Sequence, residues 1–173
     1  MSATATRPRG RKLQASVFRV LNVPMRALLG LPFATPLSSR LMLVHHTGRT
    51  TGRHYRQPVS YVRHDGTLLT PGGGNWTRNL NQGEPVRIRL RGRDLLARPE
   101  LVHDPADVAR LLTVMAEANP ALQRFIRIPR GADGRPDPAA LVAAIQHGFR
   151  VVRWHPGTPL PGSDIRVAKE APE

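Results

Sequence analysis

Two short segments of the sequence carry residue types that bind anions. In Thr47-Gly48-Arg49-Thr50-Thr51-Gly52-Arg53, followed by Tyr55-Arg56-Gln57-Pro58-Val59, two glycines let backbone N–H groups approach a ligand closely, threonine hydroxyls donate, and Arg49, Arg53 and Arg56 neutralise charge. That is the chemistry of a phosphate cradle; an ordinary basic hairpin turn would use the same residues. In Pro71-Gly72-Gly73-Gly74-Asn75-Trp76-Thr77-Arg78-Asn79-Leu80, three glycines remove side chains where a flat ring could lie against backbone. The helix start expected beyond them offers unpaired N–H groups, and Trp76 is a candidate pocket wall. A plain loop carrying a core tryptophan is the alternative.

Other chemistries find little support. The chain has no cysteine, which excludes disulfides, zinc–thiolate sites, iron–sulfur clusters and thiol nucleophiles. The glycine loop at 48–53 lacks the spacing and Lys-Ser/Thr ending of a P-loop, no G-x-G-x-x-G follows a strand, and there is no G-x-S-x-G elbow. His45 and His46, adjacent on an expected strand, point to opposite faces and make a poor metal pair, and the other histidines show no ligand spacing. No metal site is expected. No paired carboxylates stand out for acid–base work, so catalytic residues are unassigned and the chemistry is expected to come from a cofactor.

The elements that would hold these segments are legible in part. Leu41-Met42-Leu43-Val44 reads as a strand buried on both faces, and Tyr55 to Arg63 as the next, ending at the hairpin signal His64-Asp65-Gly66, with Thr67 to Thr70 returning. Trp76 to Asn81 reads as a short helix. Val86, Ile88 and Leu90 alternate with Arg87, Arg89 and Arg91, predicting a strand with one buried and one wet, basic face; Asp94 to Val102 is its partner. Asp104-Pro105 caps a helix with Val108, Leu111, Leu112 and Met115 inward, and Asn119-Pro120 ends it. A second short helix bears Leu122, Phe125 and Ile126. Asp137-Pro138 starts a third, with Leu141, Val142 and Ile145 inward and Gly148 at its end, and Phe149 to Trp154 is the last strand.

Consecutive strands joined by hairpins predict an antiparallel sheet or barrel with attached helices. At 173 residues the chain suits one domain. The expected organisation is a disordered basic tail at 1–11, a single domain at 12–155 that includes an amphipathic N-terminal helix with Leu13, Val17, Val20, Leu21, Met25 and Leu28, and a disordered, proline-, glycine- and charge-rich tail at 156–173. That helix reads either as a peripheral membrane contact or as a lid on one end of the barrel. The apolar stretch Val20 to Leu37 is too interrupted by proline, glycine and arginine to span a bilayer, no secretory signal is expected, and a cytoplasmic location is the expectation.

The net charge of +14 is unevenly spread: ten arginines and Lys12 lie in Met1 to Arg63 without one acid, and the rest of the chain has fifteen basic and twelve acidic residues. Such asymmetry favours an anionic partner, whether cofactor, nucleic acid or membrane. With aromatics at 5% and no recognition motif, nucleic acid is not the expected partner.

Taken together, Leu43 to Arg53, Gln57-Pro58-Val59, the glycine loop and Trp76-Thr77-Arg78-Asn79-Leu80 resemble the actinobacterial deazaflavin-dependent nitroreductase family, over roughly Leu41 to Val102. The resemblance implies an α+β fold, a mostly antiparallel split β-barrel with flanking helices, and binding of the anionic deazaflavin coenzyme F420. It assigns Arg49, Thr50, Thr51, Tyr55, Arg56, Gln57, Pro58 and Val59 to the cofactor's phosphate side, and Gly72, Gly73, Gly74, Trp76, Arg78 and Asn79 to the ring and its linker. It implies a hydride-transferring oxidoreductase acting on a small electron-poor molecule such as a quinone, enone or nitro compound, and a homodimer. The alternatives are an FMN-binding split-barrel reductase and a non-catalytic cofactor- or lipid-binding protein. The chain departs from the family in having Thr50 where lysine is common, a shorter glycine loop, and no tyrosine after Tyr61.

Overall fold

A computed structural model describes residues 36–73, 76–124 and 126–160, together with Met25, Ala27 and residues 29–31. The expected basic tail, most of the expected N-terminal helix and residues 161–173 lie outside the described residues.

Seven strands, β1 (Leu41–Thr47), β2 (His54–Ser60), β3 (Val62–His64), β4 (Thr67–Pro71), β5 (Val86–Leu90), β6 (Arg93–Val102) and β7 (Val151–Pro159), form one sheet in the order β2-β1-β5-β6-β7-β4-β3. Every pairing is antiparallel. Helices α1 (Pro105–Ala118) and α2 (Pro138–Gln146) join β6 to β7. The fold is the α+β split barrel expected: a seven-stranded antiparallel sheet curled into a half-barrel, with two helices.

The two edge strands, β2 and β3, are consecutive in sequence and separated by Tyr61 alone. The continuous strand expected over Tyr55 to Arg63 is therefore two strands at opposite edges of the sheet. Tyr61 is the corner. Its N–H donates to the Arg40 carbonyl at 3.0 Å, and its hydroxyl to the Ser38 carbonyl at 3.0 Å. It is buried, so the first bond satisfies its backbone N–H at the corner and the second satisfies its phenol hydroxyl. A local sequence pattern carries no sign of this switch, because both halves favour extended backbone.

The sheet has a core on each face. Inside the curl, Met42, Val44, Val59, Tyr61, Leu68, Ile88 and Trp154 pack together. Trp154 is fully buried and its indole N–H donates to Thr70 Oγ1 at 3.0 Å, which satisfies both polar groups in an apolar setting. On the other face of the β3–β4 end, Leu69, Val102 and Val151 pack under Val108, Leu111, Leu112 and Met115 of α1 and Leu141 of α2. Both helices start as expected: Asp104 Oδ1 accepts from Asp107 N at 3.0 Å and Asp137 Oδ1 from Ala140 N at 2.7 Å, each followed by proline in the first turn.

Several expectations need correction. Val142 is 40% exposed rather than inward, because α2 buries a narrow stripe centred on Leu141. The helix expected at Trp76 to Asn81 is one 3₁₀ turn, Thr77–Asn79, and the short helix after Asn119-Pro120 is a 3₁₀ turn, Pro120–Arg124. Strand β7 runs on through Pro159, because Pro156 and Pro159 lie opposite Ala97 and Leu95 of the long β6 across a register shift. The 156–159 part of the expected C-terminal tail is thus strand. The outer face of β5 is basic but not uniformly wet: the Arg89 side chain is only 17% exposed and bridges to the buried Asp94.

Candidate functional site

The β1–β2 hairpin builds one wall of a groove. The loop closes on itself through Gly48 N to Arg53 O and Gly52 N to Gly48 O, both 2.8 Å. Gly48 leaves room for two side chains of the loop: a Cβ there would lie 2.7 Å from Thr51 Oγ1 and 2.9 Å from the Tyr55 ring, so both would have to shift. The loop presents Arg49, Thr50 and Thr51 to solvent, and Thr51 Oγ1 lies 3.4 Å from the Tyr55 hydroxyl.

Antiparallel register sets the wall beyond the loop. His46 faces Tyr55 and Val44 faces Gln57 across β1 and β2. Side chains alternate, so His46, Tyr55 and Gln57 continue the inner face on which Met42, Val44 and Val59 form the core. The His46 and Tyr55 rings stack with centroids 5.3 Å apart and planes at 21°.

The opposite wall is the 3₁₀ turn with Trp76, and Asn79 fastens it to the loop. Asn79 Oδ1 accepts the backbone N–H of Arg49 at 3.2 Å, while its Nδ2 donates to His46 Nδ1 at 3.2 Å. Arg49 Nη1 also donates to the Arg78 carbonyl at 3.2 Å. Because an amide nitrogen can only donate, His46 Nδ1 must accept, which puts the imidazole proton on Nε2. Burial lowers the His46 pKa below its ordinary value and so favours this neutral form.

The result is a groove of about 810 Å³ lined by His46, Gly48, Arg49, Thr50, Thr51, Tyr55, Gln57, Trp76, Arg78 and Asn79. Its rim offers guanidinium and hydroxyl donors, His46, Tyr55 and Trp76 are its aromatic members, and no carboxylate lines it. That size lies within the range of cofactor sites. The groove can take a flat ring against apolar surface and an anion at the loop.

Of the residues singled out from sequence, Arg49, Thr50, Thr51, Tyr55, Gln57, Trp76, Arg78 and Asn79 meet in this groove. Arg56 and Pro58 point to the other face of β2, where Arg56 lines a second pocket and Pro58 pairs with Leu43, and Val59 is core. Gly72 does not line the groove: its N–H donates to the Arg150 carbonyl at 2.7 Å, and a Cβ would stand 2.8 Å from that oxygen. Close approach of two chain segments accounts for that glycine without a ligand. Gly73 adjoins Phe149, and Gly74 lies outside the described residues. Sequence reasoning missed His46, although the alternation Met42, Val44, His46 placed it on the inner face. Among the described residues no three His, Asp or Glu side chains cluster as metal ligands, and no helix is long and apolar enough to cross a membrane.

The model of a family described as F420H(2)-dependent quinone reductase matches residues 18–128. Among solved structures, one described as a domain-swapped dimer is 14% identical, with 80% of this chain and 98% of that chain covered and a TM-score of 0.46. Another, named for 5-nitroimidazole antibiotic resistance and from Bacteroides thetaiotaomicron VPI-5482, is 11% identical, covering 71% of this chain and 76% of that one with a TM-score of 0.42. No curated protein matches the chain.

Proposed function

The chain belongs to the F420H(2)-dependent quinone reductase family and is an oxidoreductase that uses coenzyme F420, and we propose that it reduces a quinone or a similarly electron-poor enone or nitro compound in the groove between the β1–β2 loop and the Thr77–Asn79 turn. One observation carries this reading: Arg49, Thr50 and Thr51 meet Trp76, Arg78 and Asn79 around one carboxylate-free groove, although the two segments are far apart in sequence. The donor set suits the cofactor, since an anionic chain is held by guanidinium and hydroxyl donors and a flat ring needs an apolar wall.

In this reading Arg49, Thr50 and Thr51 hold the phosphate. Tyr55, Gln57 and Trp76 flank the ring, and the Asn79 bonds keep the two walls at a fixed separation. When bound, the reduced deazaflavin supplies the two electrons as a hydride. His46, neutral with its proton on Nε2, is a hydrogen-bond donor rather than a cation in the groove. Arg78, exposed at the rim, is the candidate to polarise the substrate's accepting oxygen.

Equilibrium titration of the purified protein with oxidised F420, with FMN alongside, tests the assignment. Saturable F420 binding that Arg49→Ala weakens supports the groove, and turnover of quinones, enones and nitroaromatics then ranks the substrate classes. F420 binding unaffected by Arg49→Ala and by Asn79→Ala would place the cofactor elsewhere, and preference for FMN would contradict the reading.

A further inference from the structure

The face of the sheet opposite the groove carries a second concavity of about 520 Å³. Register defines its floor: Arg56 lies opposite His45 and His54 opposite Thr47 across β1 and β2. Pairing of Leu43 with Arg89 and of Val44 with Ile88 sets Arg87 beside His45 on the other flank. Alternation then gives His54, Arg56, His45, Arg87 and Arg89 one shared face.

Charge on this face does not cancel. Asp94 Oδ2 is shared by Arg87 at 2.8 Å and Arg89 at 2.7 Å, while Arg56 forms no ion pair among the described residues. His45 Nε2 is buried without a hydrogen-bond partner among the described residues, and a buried polar atom left in that state costs free energy that a ligand would recover. Gly30 lines this face and Arg89 Nη2 donates to the Leu31 carbonyl at 3.2 Å; no acidic residue occurs in the sequence before Asp65.

We propose that this pocket is a binding site for a small oxyanion, a carboxylate or a phosphate, held by Arg56 and Arg87 and accepting a hydrogen bond from His45 Nε2. Without an anion, burial and then Arg87 lower the His45 pKa, with Arg56 and Arg89 adding to this and Asp94 opposing it. An anion against the ring reverses that balance, so binding draws a proton onto His45. The pocket borders the cofactor groove, since His46 and Tyr55 line both, but its cations differ: Arg56 lies on one face of the β1–β2 ribbon and Gln57 of the groove on the other.

The test is an NMR titration of the full chain with inorganic phosphate and, separately, with succinate, at low ionic strength, following the His45 imidazole resonances assigned with His45→Gln. The expected result is a saturable shift toward the protonated form. In Arg56→Ala the affinity falls about tenfold or more, as for loss of one charge-assisted hydrogen bond, while Arg98→Ala, an exposed arginine of β6, leaves it unchanged. Arg49→Ala in the groove also leaves the His45 response intact. Arg56 is exposed, so its removal is not expected to disturb folding, and a melting curve of the variant checks this. The tighter of the two probes identifies the headgroup. Absence of a saturable His45 shift with both probes overturns the proposal, as does a shift lost equally in Arg98→Ala or Arg49→Ala.

Discussion

The backbone N–H of Arg49 donates to Asn79 Oδ1 at 3.2 Å, across 30 residues of sequence, so one amide side chain ties the β1–β2 loop to the opposite wall of the groove. The same side chain reaches His46 at 3.2 Å. Asn79 thus fixes a distance and, through the His46 tautomer, a donor.

Asn79→Ala removes both bonds and is expected to weaken F420 binding about tenfold, with about 1 kcal/mol lost from stability, because its partners are exposed or only half-buried and water can replace it. Asn79→Asp differs in sign at one atom. It faces His46 Nδ1 with an acceptor, which favours the imidazolium and raises the His46 pKa relative to wild type. Titration of the His46 ring by NMR in both variants checks the assignment.

Folding stability is expected to depend on pH through His45 and His46. Burial holds both below their ordinary value of 6.5, so in the window between folded and unfolded pKa values the unfolded chain binds more protons. Their contribution is therefore complete above about pH 6.5 and is lost as pH falls toward the folded values. At Glu100, burial acts upward but hydrogen bonds from His155 and Arg153 outweigh it, and the carboxyl titrates below 4.5, which adds a second acid-side loss. Urea unfolding at a series of pH values should show stability rising with pH, and His46→Gln should flatten the segment near 6.5.

Thr70→Val is expected to cost about 1–3 kcal/mol by leaving the buried Trp154 N–H without an acceptor. Adding Trp154→Phe removes the orphaned donor, so the double variant should lose less than the sum of the single losses. A double-mutant cycle by chemical denaturation measures the coupling.

Asp94→Ala is expected to destabilise the protein by about 3 kcal/mol, since Arg89, 17% exposed, keeps its charge and loses its carboxylate. Replacing Arg89 by methionine in the same background should restore part of the loss. Equilibrium unfolding of the single and double variants compares them.

Much of this molecule is a local matter. The caps Asp104 and Asp137, the stripe on α1, the hairpin turn at Asp65-Gly66 with its positive φ angles, and the alternation along β5 all follow from spacing and backbone preference within a few residues. The two segments that wall the groove were legible for the same reason, as were eight of the residues that line it. Three things depended on contacts distant in sequence. Tyr61 sits between the two edge strands, held at the corner by the carbonyls of Ser38 and Arg40. Register against β1 turned Arg56 away from the groove and kept Gln57 in it, and a period of two leaves the choice of face to the partner strand. Gly72 is glycine because the Arg150 backbone passes it, and Arg150 is brought there by the pairing of β4 with β7. Sequence determined which residues could bind an anion; the closure of the sheet decided which of them face the same space.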